Sequence, residues 1–141
     1  MIYLLDTDHI SLMDRGGAEG SNIRARLKQI PLDDVSACII SYEEQIRGWF
    51  SVIAQSRTIE RQIPVYRELE RLLRFYCITP LLPFDAKAVA VFERFRSERI
   101  RIGTMDLKIA AIALVNDATL LTRNLADFGQ VPGLSAEDWS A

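Results

Sequence analysis

The chain opens on Ile2-Tyr3-Leu4-Leu5, and directly after these four apolar residues come Asp6, Thr7 and Asp8. Four residues are too few for a helix and suit a strand buried on both faces. A parallel strand that ends in acids presents them at the carboxyl edge of its sheet, where open α/β folds place their ligands. The apolar run Ile10–Met13 follows at once and reads as the start of a helix. Acids gathered there with no Lys beside them call for a cation. Mg2+ or Mn2+ is the natural candidate, because both favour carboxylate oxygens.

With 141 residues, 49% of them apolar and 26% charged, the chain has the size and composition of one globular domain, residues 1–141. Its net charge of −2 argues against coating nucleic acid by bulk electrostatics, though a local basic patch is compatible with it. No apolar run reaches the length of a membrane span, and the N-terminus has neither basic flank nor apolar core of a signal peptide. Cytoplasm is the expected location, with no membrane partner. Cys38 and Cys77, the only cysteines, lie outside any CxxC pair and read as small buried hydrophobes. His9 is the lone histidine, which excludes a His-based metal cluster and disfavours a Ser-His-Asp triad. It is expected at a helix start, partly exposed; contact with substrate beside Asp6 is the alternative.

The rest of the chain alternates strands and helices. Asp14–Gly17 reads as a loop, and Ser21 or Asn22 as the cap of a helix carrying Ile23, Leu27 and Ile30 up to Pro31. Val35–Ile40 is predicted as a second strand. Ser41 with Glu44 fits a capping box opening a helix with Ile46, Trp49 or Phe50, and Ile53 inward. A second helix, about 58–76, is expected to turn Ile59, Ile63, Tyr66, Leu69, Leu73 and Tyr76 to one face, with Pro64 kinking it or starting its main part. The two helices make a hairpin outside the sheet and a surface for a partner. Cys77–Thr79 reads as a third strand. Asp85 caps a helix with Val89, Phe92 and Phe95 inward, followed by the Arg94, Arg96, Arg99 and Arg101 cluster. Asp106 opens a nearly all-apolar helix, Ala118–Thr122 is a fourth strand, and a short edge strand follows Gly133-Leu134-Ser135. The expected fold is α/β: a central parallel sheet of four to five strands flanked by helices, with a protruding helical hairpin.

Asp6, Glu44, Asp106 and Asp127 fall at strand ends or in the helix start just beyond, 38, 62 and 21 residues apart. No local motif explains that spacing. In a right-handedly wound parallel sheet all strand carboxyl ends share one edge, so these acids are expected to converge there. Unpaired, they repel each other and shift toward the protonated form; a divalent cation removes that penalty.

Leu4-Leu5-Asp6-Thr7-Asp8, then Ser41-x-x-Glu44-x-x-x-Gly48, then Ile102-Gly103-x-x-Asp106-x-x-Ile109-Ala110 resemble the motifs of PIN-domain nucleases. Leu121-Thr122-Arg123-Asn124-x-x-Asp127-Phe128, Val131-Pro132-Gly133-Leu134 and Glu137-Asp138-Trp139 are similar to VapC toxins of bacterial toxin–antitoxin pairs. The resemblance runs nearly end to end. It implies a PIN-like fold and a Mg2+- or Mn2+-dependent endoribonuclease acting on RNA, paired with a VapB-like antitoxin and a homodimer. Carried over by position, Asp6, Glu44 and Asp106 are the core acids. The fourth is Asp127, where many PIN domains instead have Asp at the position of Asn124. Asp8 stands where Asn is commoner, and is a candidate outer ligand.

Structural roles compete with each assignment. Asp6 and Asp106 are also candidate N-caps, Glu44 a capping-box partner with Glu43 as its register alternative, and Asp127 a surface acid. Thr7, Thr122, Asn124 and Arg101 are candidate substrate contacts, with the site carboxylates as the alternative partners of Thr7 and Thr122 and the arginine cluster otherwise a solvated helix face. Trp139 is expected to anchor the chain end at the sheet edge rather than stack on a base. Two other functions fit parts of the pattern. A haloacid-dehalogenase-type phosphatase shares Asp6-x-Asp8 after a buried strand but needs a suitably placed Lys, and Lys108 lies inside the core helix. A non-catalytic RNA- or protein-binding module of the same fold would use the acids only as caps.

Overall fold

The computed structural model describes all of residues 1–141. Five parallel strands form the sheet: β1 (Ile2–Leu5), β2 (Val35–Cys38), β3 (Leu81–Leu82), β4 (Ala118–Leu121) and β5 (Ser135–Glu137), in the order β3-β2-β1-β4-β5. The helices are α1 (Thr7–Arg15), α2 (Gly17–Leu27), α3 (Ile39–Gln55), α4 (Ile63–Ile78), α5 (Ala86–Ser97), α6 (Thr104–Val115) and α7 (Leu125–Phe128). The first strand is the central one. The chain builds outward from it through β2 and β3, then crosses to its other side with β4 and β5. The winding therefore reverses between β1 and β4, and a crevice opens at the carboxyl ends of that pair.

Alternating side chains of the strands feed two cores. Leu4 and Leu120 face α5 and α6, packing with Phe92, Phe95, Ile109 and Ile112. Leu5 and Leu121 face α1 and α2, with Ile10, Leu12, Ile23 and Trp139. Trp139 closes the chain end over the sheet, 5.1 Å from the Tyr3 ring, with the Arg26 guanidinium 4.4 Å above its own ring, as an edge anchor should. α6 is buried nearly all round, in keeping with its run of apolar residues.

Several boundaries differ from the sequence reading. The expected loop at Asp14–Gly17 narrows to a hinge at Gly16, whose φ of +75° ends α1 before α2 starts at Gly17. Ser21 and Asn22 are thus interior to α2, and Asn22 holds the Ser140 carbonyl. Gly20 lets α2 approach α1 so closely that a Cβ there would strike the Leu12 carbonyl oxygen. β2 ends at Cys38, and α3 starts two residues ahead of Ser41 with no side-chain cap. The predicted third strand is instead the end of α4. Helix continues through Cys77 and Ile78 until Pro80 forces Thr79 extended, and Leu81–Leu82 then pairs with β2. Cys77 is consequently exposed, while Cys38 is buried as expected.

The hairpin of α3 and α4 is present, and Pro64 sits in the first turn of α4 rather than in its interior. Its inward stripe is Val65 and Leu72, supported by the partly buried Leu69 and Tyr76. Ile59, Ile63, Tyr66 and Leu73, expected on one face with Leu69 and Tyr76, are more than half exposed. α4 carries two apolar stripes, and periodicity does not say which one its own chain covers. In α5 the Asp85 cap holds, accepting from the Ala88 N–H at 3.0 Å. Ala88 replaces Val89 on the inward face with Phe92 and Phe95.

Candidate active site

Asp6 occupies the crevice between β1 and β4. Its backbone N–H donates to the Leu121 carbonyl at 3.0 Å, so β4 fixes where the carboxylate emerges. Oδ1 accepts from the Thr7 N–H at 2.8 Å, capping α1, and Oδ2 accepts from Thr122 Oγ1 at 2.7 Å. Thr122 Oγ1 in turn accepts from the Asn124 N–H at 3.0 Å. Asp6 is 5% exposed. Burial, then the charges of Asp8 and Asp106, push its carboxyl up to about 7, against the opposing help of Thr122 and Thr7.

Glu44 projects from the second turn of α3, where its Oε1 accepts from Thr7 Oγ1 at 2.8 Å. Ser41, with no helix end to cap, stands buried 3.0 Å from the same Thr7 hydroxyl. The capping-box role for Glu44 therefore falls away. Asp106 is the third residue of α6, in the first turn of a helix whose cap is Gly103, so it is no N-cap either. Both carboxyls are raised, chiefly by burial; Asp106 feels Asp127 and Asp8 besides, and Glu44 feels Asp106. Asp6, Glu44, Asp106 and Asn124 line one open depression of about 360 Å3. Asp127 does not line it. The Asn124 amide donates to Asp127 Oδ2 at 3.0 Å and lies 3.5 Å from Asp106 Oδ2, linking the fourth acid to the third.

No Lys or Arg comes within salt-bridge distance of these four acids. Nor do any three of them stand close enough to form a ready-made ligand set. Mg2+ fits such a spread, since it keeps several waters and takes only one or two carboxylates directly. The donor set is all oxygen and anionic, and its carboxyls are destabilised as neighbours, which is the chemistry a hard dication relieves.

The cations beside the acids are Arg15 and Arg123, both lining the depression. Arg101 does not line it and is exposed between α5 and α6. Sequence reasoning missed the first pair, although Thr7, Ser11 and Arg15 recur every four residues on α1 and Arg123 directly follows Thr122. Asp8 is also differently employed. One oxygen accepts from His9 Nδ1 at 2.8 Å and the other from the Arg123 N–H at 2.9 Å, so it braces the site. His9 is wholly buried rather than partly exposed. A second groove, about 530 Å3, shares Thr7, Ser11, Arg15 and Glu44 with the depression and continues past Gly48 to Trp49 and Val52. The phosphatase alternative loses its parts: Asp8 is committed to its donors, and Lys108 lies over the Phe84 ring at 5.7 Å.

Residues 3–134 of the chain match the PIN-domain family model. The chain belongs to the PIN-domain family. Among its relatives are Ribonuclease VapC2 of Rickettsia felis, 35% identical over 127 residues covering 75% of this chain and 95% of that protein, and Ribonuclease VapC1 of Haemophilus influenzae strain R2866, 30% identical over 142 residues and 99% of both. Among solved structures, VapBC-1 from nontypeable Haemophilus influenzae superposes with a TM-score of 0.77 at 26% identity, covering 100% of both chains. The DNA-bound VapBC from Salmonella typhimurium shares the fold, with a TM-score of 0.80 at 24% identity over 99% of this chain and 98% of that one.

Proposed function

We propose that this chain is an endoribonuclease, the toxin of a VapBC-type pair, in which Asp6, Glu44 and Asp106 hold Mg2+ or Mn2+ directly or through water and Asp127 supports them through Asn124. The observation that carries the reading is the buried Asp6 carboxylate at the sheet's reversal, with no Lys or Arg within salt-bridge distance of it. When bound, the metal ion supplies a water acidic enough to ionise near neutral pH and offsets charge developing on phosphoryl oxygens. Thr122 and Thr7 orient the carboxylates of Asp6 and Glu44 toward one depression. Arg15 and Arg123, at the same depression, are placed to take flanking phosphates of RNA. His9 has both ring nitrogens engaged and has no part in cyclising acid–base chemistry. The expected products therefore end in a 5′-phosphate and a 3′-hydroxyl.

The relatives named VapC are ribonucleases, and VapBC-5 from Mycobacterium tuberculosis, a solved neighbour, is a member of the VapBC family of toxin–antitoxin systems. On that basis a VapB-like antitoxin is the proposed partner, with the groove toward Trp49 and Val52 as its route to the acids. The outward stripe Ile59, Ile63, Tyr66 and Leu73, together with exposed Phe50, suits a homodimer. No helix is long and apolar enough to cross a membrane, and the cytoplasm is the proposed location. The test is cleavage of a structured RNA panel with Mn2+, with EDTA, and by Asp6→Asn. Cutting is expected only in wild type with metal; undiminished cutting in EDTA removes the metal from the mechanism.

A further inference from the structure

The sequence has one histidine, and the fold buries it completely. What its two nitrogens do can be read from their partners. The Trp139 backbone N–H donates to Nε2 at 3.1 Å, so Nε2 is an acceptor. In the neutral ring Nδ1 then carries the proton, and it donates to Asp8 Oδ1 at 2.8 Å. Asp8 Oδ2 accepts from the Arg123 N–H at 2.9 Å. The same oxygen lies 3.3 Å from Thr122 Oγ1, whose shorter bond of 2.7 Å goes to Asp6 Oδ2. An unbroken line of hydrogen bonds thus runs from the segment at Trp139, through His9 and Asp8, to the turn that holds Asp6.

We infer that His9 is a positioning residue for the carboxylate site. Its Nδ1–H orients Asp8, Asp8 fixes the turn at Thr122 and Arg123, and that turn aims the Thr122 hydroxyl at Asp6. Neither nitrogen is free to meet substrate or a metal ion. The arrangement also accounts for Asp rather than Asn at position 8. Two N–H donors converge on that side chain, and an amide offers one acceptor oxygen while turning its own N–H2 toward the second donor. The effect on cleavage rests on the nuclease reading; the tautomer and the contacts do not.

Because His9 is the sole histidine, ring 15N NMR of the full chain reports one site. A protonated Nδ1 with an unprotonated Nε2 is expected, and the opposite or an averaging tautomer overturns the inference. His9→Asn retains a donor near Nδ1 and drops the acceptor; His9→Gln retains an acceptor near Nε2 and drops the donor. Each is assayed below its own melting transition, with Mn2+ titrated in both RNA cleavage and calorimetric binding. His9→Gln is expected to need about tenfold more Mn2+, the usual cost of removing an outer-shell partner, while His9→Asn stays near wild type. Amide exchange at Trp139 is expected to quicken in His9→Asn and not in His9→Gln. Asp8→Asn provides a second route to the same Mn2+ shift should a histidine variant fail to fold. Identical Mn2+ dependence in wild type, His9→Gln and Asp8→Asn overturns the inference. If wild type cuts no RNA with Mn2+, the nuclease reading fails, and the calorimetric order with the tautomer still decides the role of His9.

Discussion

Thr7 Oγ1 donates to Glu44 Oε1 at 2.8 Å, joining the residue after the first strand's carboxylate to an acid 37 positions later. That bond fixes the one site acid that arrives on α3. Thr7→Val keeps the shape and removes the donor, so cleavage at saturating Mn2+ is expected to fall about tenfold, the size of one hydrogen bond to a charged group. Thr7→Ser is expected to retain most activity. Equal rates for the Val and Ser variants sink the assignment.

The raised carboxyl of Asp6 has a stability consequence. Burial first, then Asp8 and Asp106, lift it from 3.8 to about 7, so the native chain holds this proton more tightly than the unfolded one. Unfolding releases it between about pH 4 and about pH 7, and metal-free stability therefore falls as pH rises through that window. Glu44 and Asp106, also raised, act in the same direction. In EDTA, Tm is expected to be lower at pH 8 than at pH 5, with Asp6→Asn flattening the slope and raising Tm at pH 8. Mn2+ is expected to raise wild-type Tm at pH 8 by binding the native state. A Tm in EDTA that climbs toward pH 8 contradicts the account.

Asp106 lines the depression and Asp127 reaches it only through the Asn124 amide. Asp106→Asn is expected to abolish cleavage, whereas Asp127→Asn leaves a measurable residue, reduced about tenfold as for other outer-shell partners. Comparing single-turnover rates of the two variants checks this. Equal loss in both places Asp127 directly at the metal.

Arg15 and Arg123 line the site and Arg101 does not. Arg15→Ala and Arg123→Ala are each expected to weaken RNA binding and to reduce the slope of log K against log salt by about 0.7, the value per phosphate on a single strand. Arg101→Ala is expected to change the slope less. Binding is measured on the Asp6→Asn background so that no RNA is consumed.

Gly20 abuts the Leu12 carbonyl where α2 crosses α1. Gly20→Ala is expected to destabilise the fold by about 1–3 kcal/mol through overpacking, measured by urea unfolding. An unchanged midpoint shows that the two helices part without cost.

What the sequence made legible was whatever a local signal encodes. The apolar run before Asp6, the Asp85 cap and the all-apolar stretch of α6 each carry their own instruction, and the structure follows them. Signals with two readings misled. Ser41 and Glu44 satisfy the capping-box pattern, yet α3 starts at Ile39 and both side chains turn to Thr7 instead. Ile78 and Thr79 are β-branched, but nothing stops α4 before Pro80. His9 was beyond reach because its partner, Trp139, lies 130 residues away and offers a backbone N–H, which no residue type announces.

The order of the strands carries a consequence in time. β1 is synthesised well before its second neighbour, β4, which comes from residues 118–121. A nascent chain on the ribosome therefore displays Asp6 without the Leu121 carbonyl or the Thr122 hydroxyl that seat it. Until those residues emerge, the acid that the proposed chemistry needs most keeps only its local bond to the Thr7 N–H and lacks both contacts that the end of β4 supplies.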